Sequence, residues 1–518
     1  MINKVRAVIE SNNLDAILIN STNEYLVEYN ILAENARYKL TGFSGSTGDA
    51  VVTKDSIYLF VDGRYHIQAD NEVDKNFVTV VKLQSGDTFL SKLRDILPEG
   101  SVLGMVASKN SQKRVELIER VYQVKLLESD GVDTALPPDS TNYETISDEI
   151  CGKTVNDKIN ELRTLISDND CILISNLDEV SYIFNIRDFT FPYTAKVFKR
   201  ALITKNGAYL FGISKYNEYR DALSSVNGNV YIDKSSVNAR DFQFIKEKAI
   251  NFEENPIAKM KSIKTDAEIN HYKDAFHRTD LAVKAIRKYI DENDNISEYD
   301  IAKRLEEEFY KYGARSLSFN SIVAKDRNSA LAHYSKSSKD EIIADGSLIL
   351  IDCGAYYEGG LATDITRVFV KGNPSDLQRK VYTTVLKAFL NAYNTQIKDG
   401  LSGFDIDCSV RKFFSDNPID GFVFNHGLGH GIGINVHEAP PNLGCNYIAK
   451  TPLKNNMCFT IEPGLYNKDY FGVRLENSCY LKNNKICSFV KMNYEKKLIN
   501  YSMLTEQEKF WLNEFEVI

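Results

Sequence analysis

Three of the chain's seven histidines fall within twelve positions, in HGLGHGIGINVHE at 426–438. Histidine is the side chain that carries protons near neutral pH and, when neutral, binds metals most often. Glycines on both sides of His430 would let backbone approach closely, as packing around an ion requires. Four carboxylates stand in strand-like contexts nearby. Asp352 ends the aliphatic run LILID, Asp364 opens TDITRVFVKG, Glu462 follows FTI in FTIEPG, and Glu476 lies two residues beyond Arg474 in GVRLEN. Strand alternation puts Arg474 and Glu476 on one face. A hairpin turning at Gly359-Gly360 would set Asp352 and Asp364 side by side. Buried together, such acids cost several kcal/mol unless positive charge neutralises them. A single one reads equally well as a satisfied core carboxylate. Four of them with a glycine-flanked histidine call for cations.

Four carboxylates and one imidazole, with no thiolate, suit hard or borderline divalent ions such as Mn²⁺ better than a structural zinc–cysteine site. Five ligands hold two ions only if some carboxylates bridge. Bridging sets the ions about 3.5–4 Å apart, the spacing at which a shared water ionises near neutral pH and attacks a carbonyl. The chemistry expected is hydrolysis.

Several elements must position these groups. Thr265-x-x-Glu268 and Ser375-x-x-Gln378 are capping boxes ahead of runs with helical apolar spacing, and predict two long helices. Strands are predicted at 347–354, 363–372, 457–464 and 472–481. The last 260 or so residues thus read as mixed helix and antiparallel sheet. Upstream, residues 15–31 (DAILINSTNEYLVEYNI) align without gaps on 170–186 (DCILISNLDEVSYIFNI), an offset of 155 that implies two copies of one α/β unit. The fold expected is α/β (α+β) in three domains, 1–136, 137–255 and 256–518, with boundaries near Leu136-Pro137-Pro138 and Asn255-Pro256.

With 518 residues, 43% hydrophobic and 26% charged, the chain is long enough for about three globular domains. Its net charge of -8 and dispersed basic residues argue against nucleic acid as a partner. No apolar run approaches the about 18 residues of a membrane span, and the N-terminus lacks a signal peptide's apolar stretch. A cytoplasmic protein off the membrane is expected. Eight cysteines without a C-x-x-C pair suit free thiols rather than disulfides.

Asp352, Asp364, His430, Glu462 and Glu476, in the contexts IDCG, TDITR, HGLGHG, IEPGLY and RLEN, resemble the pita-bread metallopeptidase family in its Xaa-Pro aminopeptidase branch. TGFSGSTGDAVV at 41–52 and VDGRYHIQAD at 61–70 are similar to that branch's creatinase-like N-terminal domain, and the repeat matches its three-domain cytosolic form. The resemblance implies two creatinase-like domains ahead of a pita-bread catalytic domain, two metal ions, and a homodimer acting on peptides with proline in position two. It implies that Asp352 and Asp364 hold one metal, that Asp364 and Glu476 bridge, and that His430 and Glu462 complete the other. Glu462 would also take a proton from the attacking water. His333, in SALAHYS, and His437 match histidines that bind peptide and stabilise the tetrahedral intermediate. His426 and Arg474 match orienting groups, and Arg64 in DGRY a substrate-facing arginine. Two departures stand out: EGGLATD replaces the common DGTTD hairpin, and Leu428 replaces the frequent threonine of HGTGHG. A prolidase restricted to dipeptides and a metal-free binding protein on the same fold are the competing readings.

Overall fold

Both copies of the repeat begin with a buried strand, Ala16–Ile19 and Cys171–Ile174, at the same offset as their sequences. On one side each pairs antiparallel with the first strand of a hairpin, Asp49–Thr53 with Ile57–Val61 in the first copy and Arg200–Thr204 with Ala208–Phe211 in the second. On the other side each runs parallel to a third strand, Val102–Val106 or Val230–Ile232, which is followed outward by a fourth. The first sheet adds one edge strand, Val78–Lys82. Otherwise the two orders coincide, so the sequence repeat is a structural one.

This computed structural model describes residues 1–84 and 86–515. They form two compact units, one of Met1–Asn142, Val155–Phe184 and Val197–Pro256, the other of Tyr143–Thr154, Asn185–Lys196 and Ile257–Ile518. Both repeat sheets lie in the first unit. No helix among the described residues is long and apolar enough to cross a membrane.

The longer helices of the second unit are α1 (Asp266–Glu292), α2 (Glu298–Lys311), α3 (Asp376–Tyr393) and α4 (Gly403–Asp416). The capping boxes at Thr265 and Ser375 both form, each hydroxyl taking the backbone N–H of the N3 residue, so α1 and α3 start where the sequence places them. The antiparallel sheet contains β1 (Ile322–Lys325), β2 (Leu348–Cys353), β3 (Ile365–Val370), β4 (Cys458–Ile461), β5 (Glu476–Lys482) and β6 (Lys485–Ser488). The spatial order is β1-β2-β3-β5-β4, with β6 also paired to β5. Leu348 and Leu350 of β2 and Val368 and Val370 of β3 pack in one buried cluster with Val381, Val385, Leu386 and Phe389 of α3.

Two expectations are corrected. The 472–481 stretch is not one strand: Gly472–Arg474 pairs with Gly464–Tyr466 in a separate ribbon, and β5 begins afresh at Glu476. The break at Leu475 is made by its N–H bonding to Pro463 O at 3.2 Å. Asp352 and Asp364 are not directly opposite either. Asp352 faces Thr366, because the connection from β2 to β3 is a long excursion through the short strand Ala355–Tyr356 rather than a tight turn.

Candidate metal centre

Alternation along β2 and β3 carries the core face on from Leu348 and Leu350 to Asp352, and from Val370 and Val368 to Thr366 and Asp364. The acids therefore occupy the next positions along rows that are otherwise apolar. Register extends the row across the sheet: Ile322 on β1, Asp352 on β2, Thr366 on β3 and Glu476 on β5 lie opposite one another in turn. Ile461 of β4 faces Asn477, so Glu462, one residue beyond, comes level with Glu476. Asp364 sits two residues before Thr366 on the same face. Opposed residues in antiparallel strands point the same way, so one end of the sheet gathers all four carboxylates.

His430 reaches them from the loop before β4. Its N–H donates to Thr460 Oγ1 at 3.1 Å, and Glu462 N–H donates to Leu428 O at 2.8 Å, stitching the loop to β4. His430 Nε2 lies 3.6 Å from Asp364 Oδ2 and 3.6 Å from Glu462 Oε1. Its Nδ1 is 3.0 Å from Gly431 O, which can only accept, so Nδ1 carries the proton and Nε2 presents a lone pair to the acids. One ligand atom each from Asp364, His430 and Glu476 lie within 4.8 Å of one another.

Arg474 ties the remaining members together. Its Nη2 donates to Asp352 Oδ2 at 2.6 Å, Nε to Thr366 Oγ1 at 3.1 Å, and Nη1 to Tyr466 Oη at 2.8 Å. Thr366 in turn donates to Glu476 Oε2 at 2.8 Å. His426 Nδ1 is 2.7 Å from Gly427 O and so must donate, which leaves Nε2 to accept from the Tyr466 hydroxyl at 2.8 Å. The rings of His430 and His437 meet edge to face, centroids 4.4 Å apart. His333 lies half-buried in the turn after a 3-10 segment, Asp326–Ala330, which Ser329 fixes to the Gly472–Arg474 strand by bonds with Gly472 N and O at 2.8 and 3.0 Å. Arg64 belongs to the first unit, where Asp62 takes its Nε and Nη2 at 2.9 and 2.8 Å and Thr47 its Nη2 at 3.0 Å.

Thr366 and Tyr466 are members that sequence reasoning missed, although both lie inside the motif segments TDITR and IEPGLY. The glycines flanking His430 do let backbone approach closely, as expected. A Cβ on Gly429 would lie 2.1 Å from Thr460 O and one on Gly431 1.9 Å from Glu438 O.

The electrostatics are one-sided. Burial, then repulsion from Glu476, Asp352 and Glu462, holds the Asp364 carboxyl well above the usual carboxylate range. Burial and Asp352 likewise push Glu476 up. Burial opposes the charge on Arg474, but Tyr466, Asp352 and Glu462 outweigh it and keep the guanidinium protonated. Asp352 Oδ1, Asp364 Oδ1 and Glu476 Oε1 are buried without any hydrogen-bond partner. Three orphaned carboxylate oxygens converging with an imidazole lone pair fit a metal centre, because buried polar atoms are otherwise satisfied.

Buried acids and a correctly tautomerised histidine at the end of an antiparallel sheet define a metal-dependent hydrolase class of site. Residues 270–483 match the profile of metallopeptidase family M24, and residues 1–133 and 135–218 match profiles of the creatinase/prolidase N-terminal domain. The chain thus carries a metallopeptidase family M24 region at 270–483, preceded by two creatinase-type regions. It is 28% identical to a probable Xaa-Pro aminopeptidase P of Coprinopsis cinerea, over 99% of this chain and 93% of the relative. Aminopeptidase P2 of Arabidopsis thaliana is 27% identical over 97% and 82%. Among solved structures, X-prolyl aminopeptidase from Caenorhabditis elegans, described as a cytosolic enzyme with a di-nuclear active site, shares the fold at a TM-score of 0.88, with 24% identity over 99% of this chain and 94% of that one.

Proposed function

We propose that this chain is a two-metal Xaa-Pro aminopeptidase that releases the first residue of peptides carrying proline in second position. The observation that carries the reading is the charge balance of the site. Ionising Asp352, Asp364, Glu462 and Glu476 opposite a single guanidinium, Arg474, is unfavourable enough that burial and mutual repulsion raise the Asp364 and Glu476 carboxyls without metal, and added cations would let all four act as ligands. Asp352, Asp364, His430, Glu462 and Glu476 would hold the ions, and the oxygen-rich set favours Mn²⁺. Such ions supply, when bound, an acidified water and polarisation of a carbonyl.

The chain's own groups do the rest. Glu462, the least buried of the four acids at 16% side-chain exposure, accepts the proton of the attacking water. Arg474 holds Asp352 and, through Thr366, Glu476 in place. His437 beside His430 meets the developing oxyanion, and His333 the peptide backbone. A Xaa-Pro bond has no N–H to donate, so recognition must rest on the free amine, the carbonyl and the proline ring.

A peptide panel read by mass spectrometry tests this. Xaa-Pro-Yaa tripeptides and longer peptides should be cut after the first residue only, peptides with alanine in position two hardly at all, and N-acetylated peptides far more slowly. If the Xaa-Pro dipeptide is the only good substrate, the protein is a prolidase instead. Unimpaired hydrolysis by metal-stripped protein would overturn both.

A further inference from the structure

Just beyond His437 lies a buried cluster of charge that the catalytic reading does not use. Glu438 is 3% exposed and sits between Lys261 and Lys264, themselves 3% and 4% exposed. Lys264 Nζ donates to Glu438 Oε1 at 2.7 Å and to Lys261 O at 2.8 Å, and Lys261 Nζ is 3.3 Å from Oε2. Glu438 also closes the turn it ends. Its N–H donates to Gly431 O at 2.8 Å, and its carboxylate folds back over Gly433, where a Cβ would lie 2.1 Å from Oε1. Within the turn, Asn435 Nδ2 donates to His437 O at 2.9 Å while Lys196 Nζ donates to Asn435 Oδ1 at 3.2 Å.

We propose that Glu438 is a positioning residue. Clamped by Lys261 and Lys264, it fixes the turn 431–438 so that the His437 ring stands against the His430 ring at 4.4 Å. His437 has a half-buried ring on a glycine-rich turn, and glycine-rich backbone has many conformations to lose. Buried Ile432, Ile434 and Val436 anchor the middle of the turn, and the end that carries His437 is held by the polar contacts of Glu438. Desolvating three charges is costly, and apolar side chains of the same volume often stabilise a fold as well or better. They would not supply bonds of fixed direction from the end of the turn to residues 261 and 264. Glu438 follows His437 directly, so a displaced carboxylate moves that ring first, and the backbone bond from Glu438 to Gly431 passes the displacement to His430.

The inference rests on the aminopeptidase reading, so its test carries one readout that does not depend on substrate. Glu438→Gln and Lys264→Met should each lower kcat on a Xaa-Pro-Yaa tripeptide by about 10- to 100-fold, the range for groups that orient a site's ligands, with KM little changed. Lys264→Arg should recover most of the loss. In protein with ¹³C-labelled histidine rings and the diamagnetic ion Mg²⁺ in place of Mn²⁺, the same variants should displace the His430 and His437 resonances and leave those of His66, His271 and His277 in place. If Glu438→Gln does not fold, Lys264→Met carries both readouts. Resonances of His430 and His437 that stay put, with or without a fall in kcat, overturn the clamp. Displaced resonances in a protein whose wild type does not cut Xaa-Pro peptides uphold the clamp and reject the aminopeptidase reading instead.

Discussion

Arg474 spends each nitrogen of its guanidinium on a different partner: Asp352, Thr366 and Tyr466. Lysine carries the same charge but no fork, so it can satisfy one of the three positions at a time. Arg474→Lys is therefore expected to keep fold and metal content yet lose about 10- to 100-fold in kcat, as the loss of a ligand's supporting bonds does in other metal sites. Steady-state kinetics beside metal analysis would check it, and unchanged kcat would remove Arg474 from the site's machinery. Glu462→Gln should cost more, because it takes away both a negative charge and the proposed proton acceptor. At this scale the acids were legible because a carboxylate at the end of an aliphatic run is chemically out of place. Thr366 and Tyr466 were not: a hydroxyl within a strand or beside a glycine is ordinary, and only its three-dimensional neighbours give it work.

The elements repeat that contrast. Helices α1 and α3 were readable from their first four residues, since a capping box satisfies orphan N–H groups locally and needs no distant partner. Strand boundaries depend on what lies alongside. GVRLENSCYL has the pattern of one strand, yet it changes partners at Leu475, and alternation carries no record of pairing. The loop bearing His430 depends on backbone contact in the same way. Gly429 packs so tightly on β4 that any side chain must push Thr460 away. Thr460 Oγ1 holds the His430 N–H, so Gly429→Ala should destabilise the second unit by about 1–3 kcal/mol, the usual cost of overpacking, and lower metal content as well. Urea unfolding with parallel metal analysis reads both. A variant with full metal and unchanged unfolding would show that β4 yields without disturbing His430.

For the molecule as a whole, duplication was the most legible feature, because two copies of one sheet order must share the residues that build it, down to Ile17, Leu18 and Ile19 matching Ile172, Leu173 and Ile174. The dependence on metal was legible in the four acids, but its pH window was not, since that follows from how deeply the fold buries each acid and beside which others. Stripped of metal, the folded protein holds Asp364 and Glu476 above the usual carboxylate range, so at intermediate pH it binds more protons than the unfolded chain does. Stability changes with pH as protons bound by the unfolded state minus those bound by the native state. That difference is negative here. The contribution of these groups is fully present below the ordinary carboxylate pKa and is lost as pH rises through their raised values, which for Glu476 is about 8. Bound cations remove the penalty and add RT ln(1 + [M]/Kd), about 4 kcal/mol at a thousandfold excess over Kd, while protons compete for the same oxygens at low pH. The apparent unfolding midpoint of chelator-treated protein should therefore fall further below that of Mn²⁺-loaded protein as pH is raised from 5 to 9, with the two converging at the acid end. Comparing the two forms at each pH cancels the titration of groups outside the five proposed ligands. A gap that is constant, or that widens toward acid, would mean that Asp364 and Glu476 do not carry the metal-dependent stability of this protein.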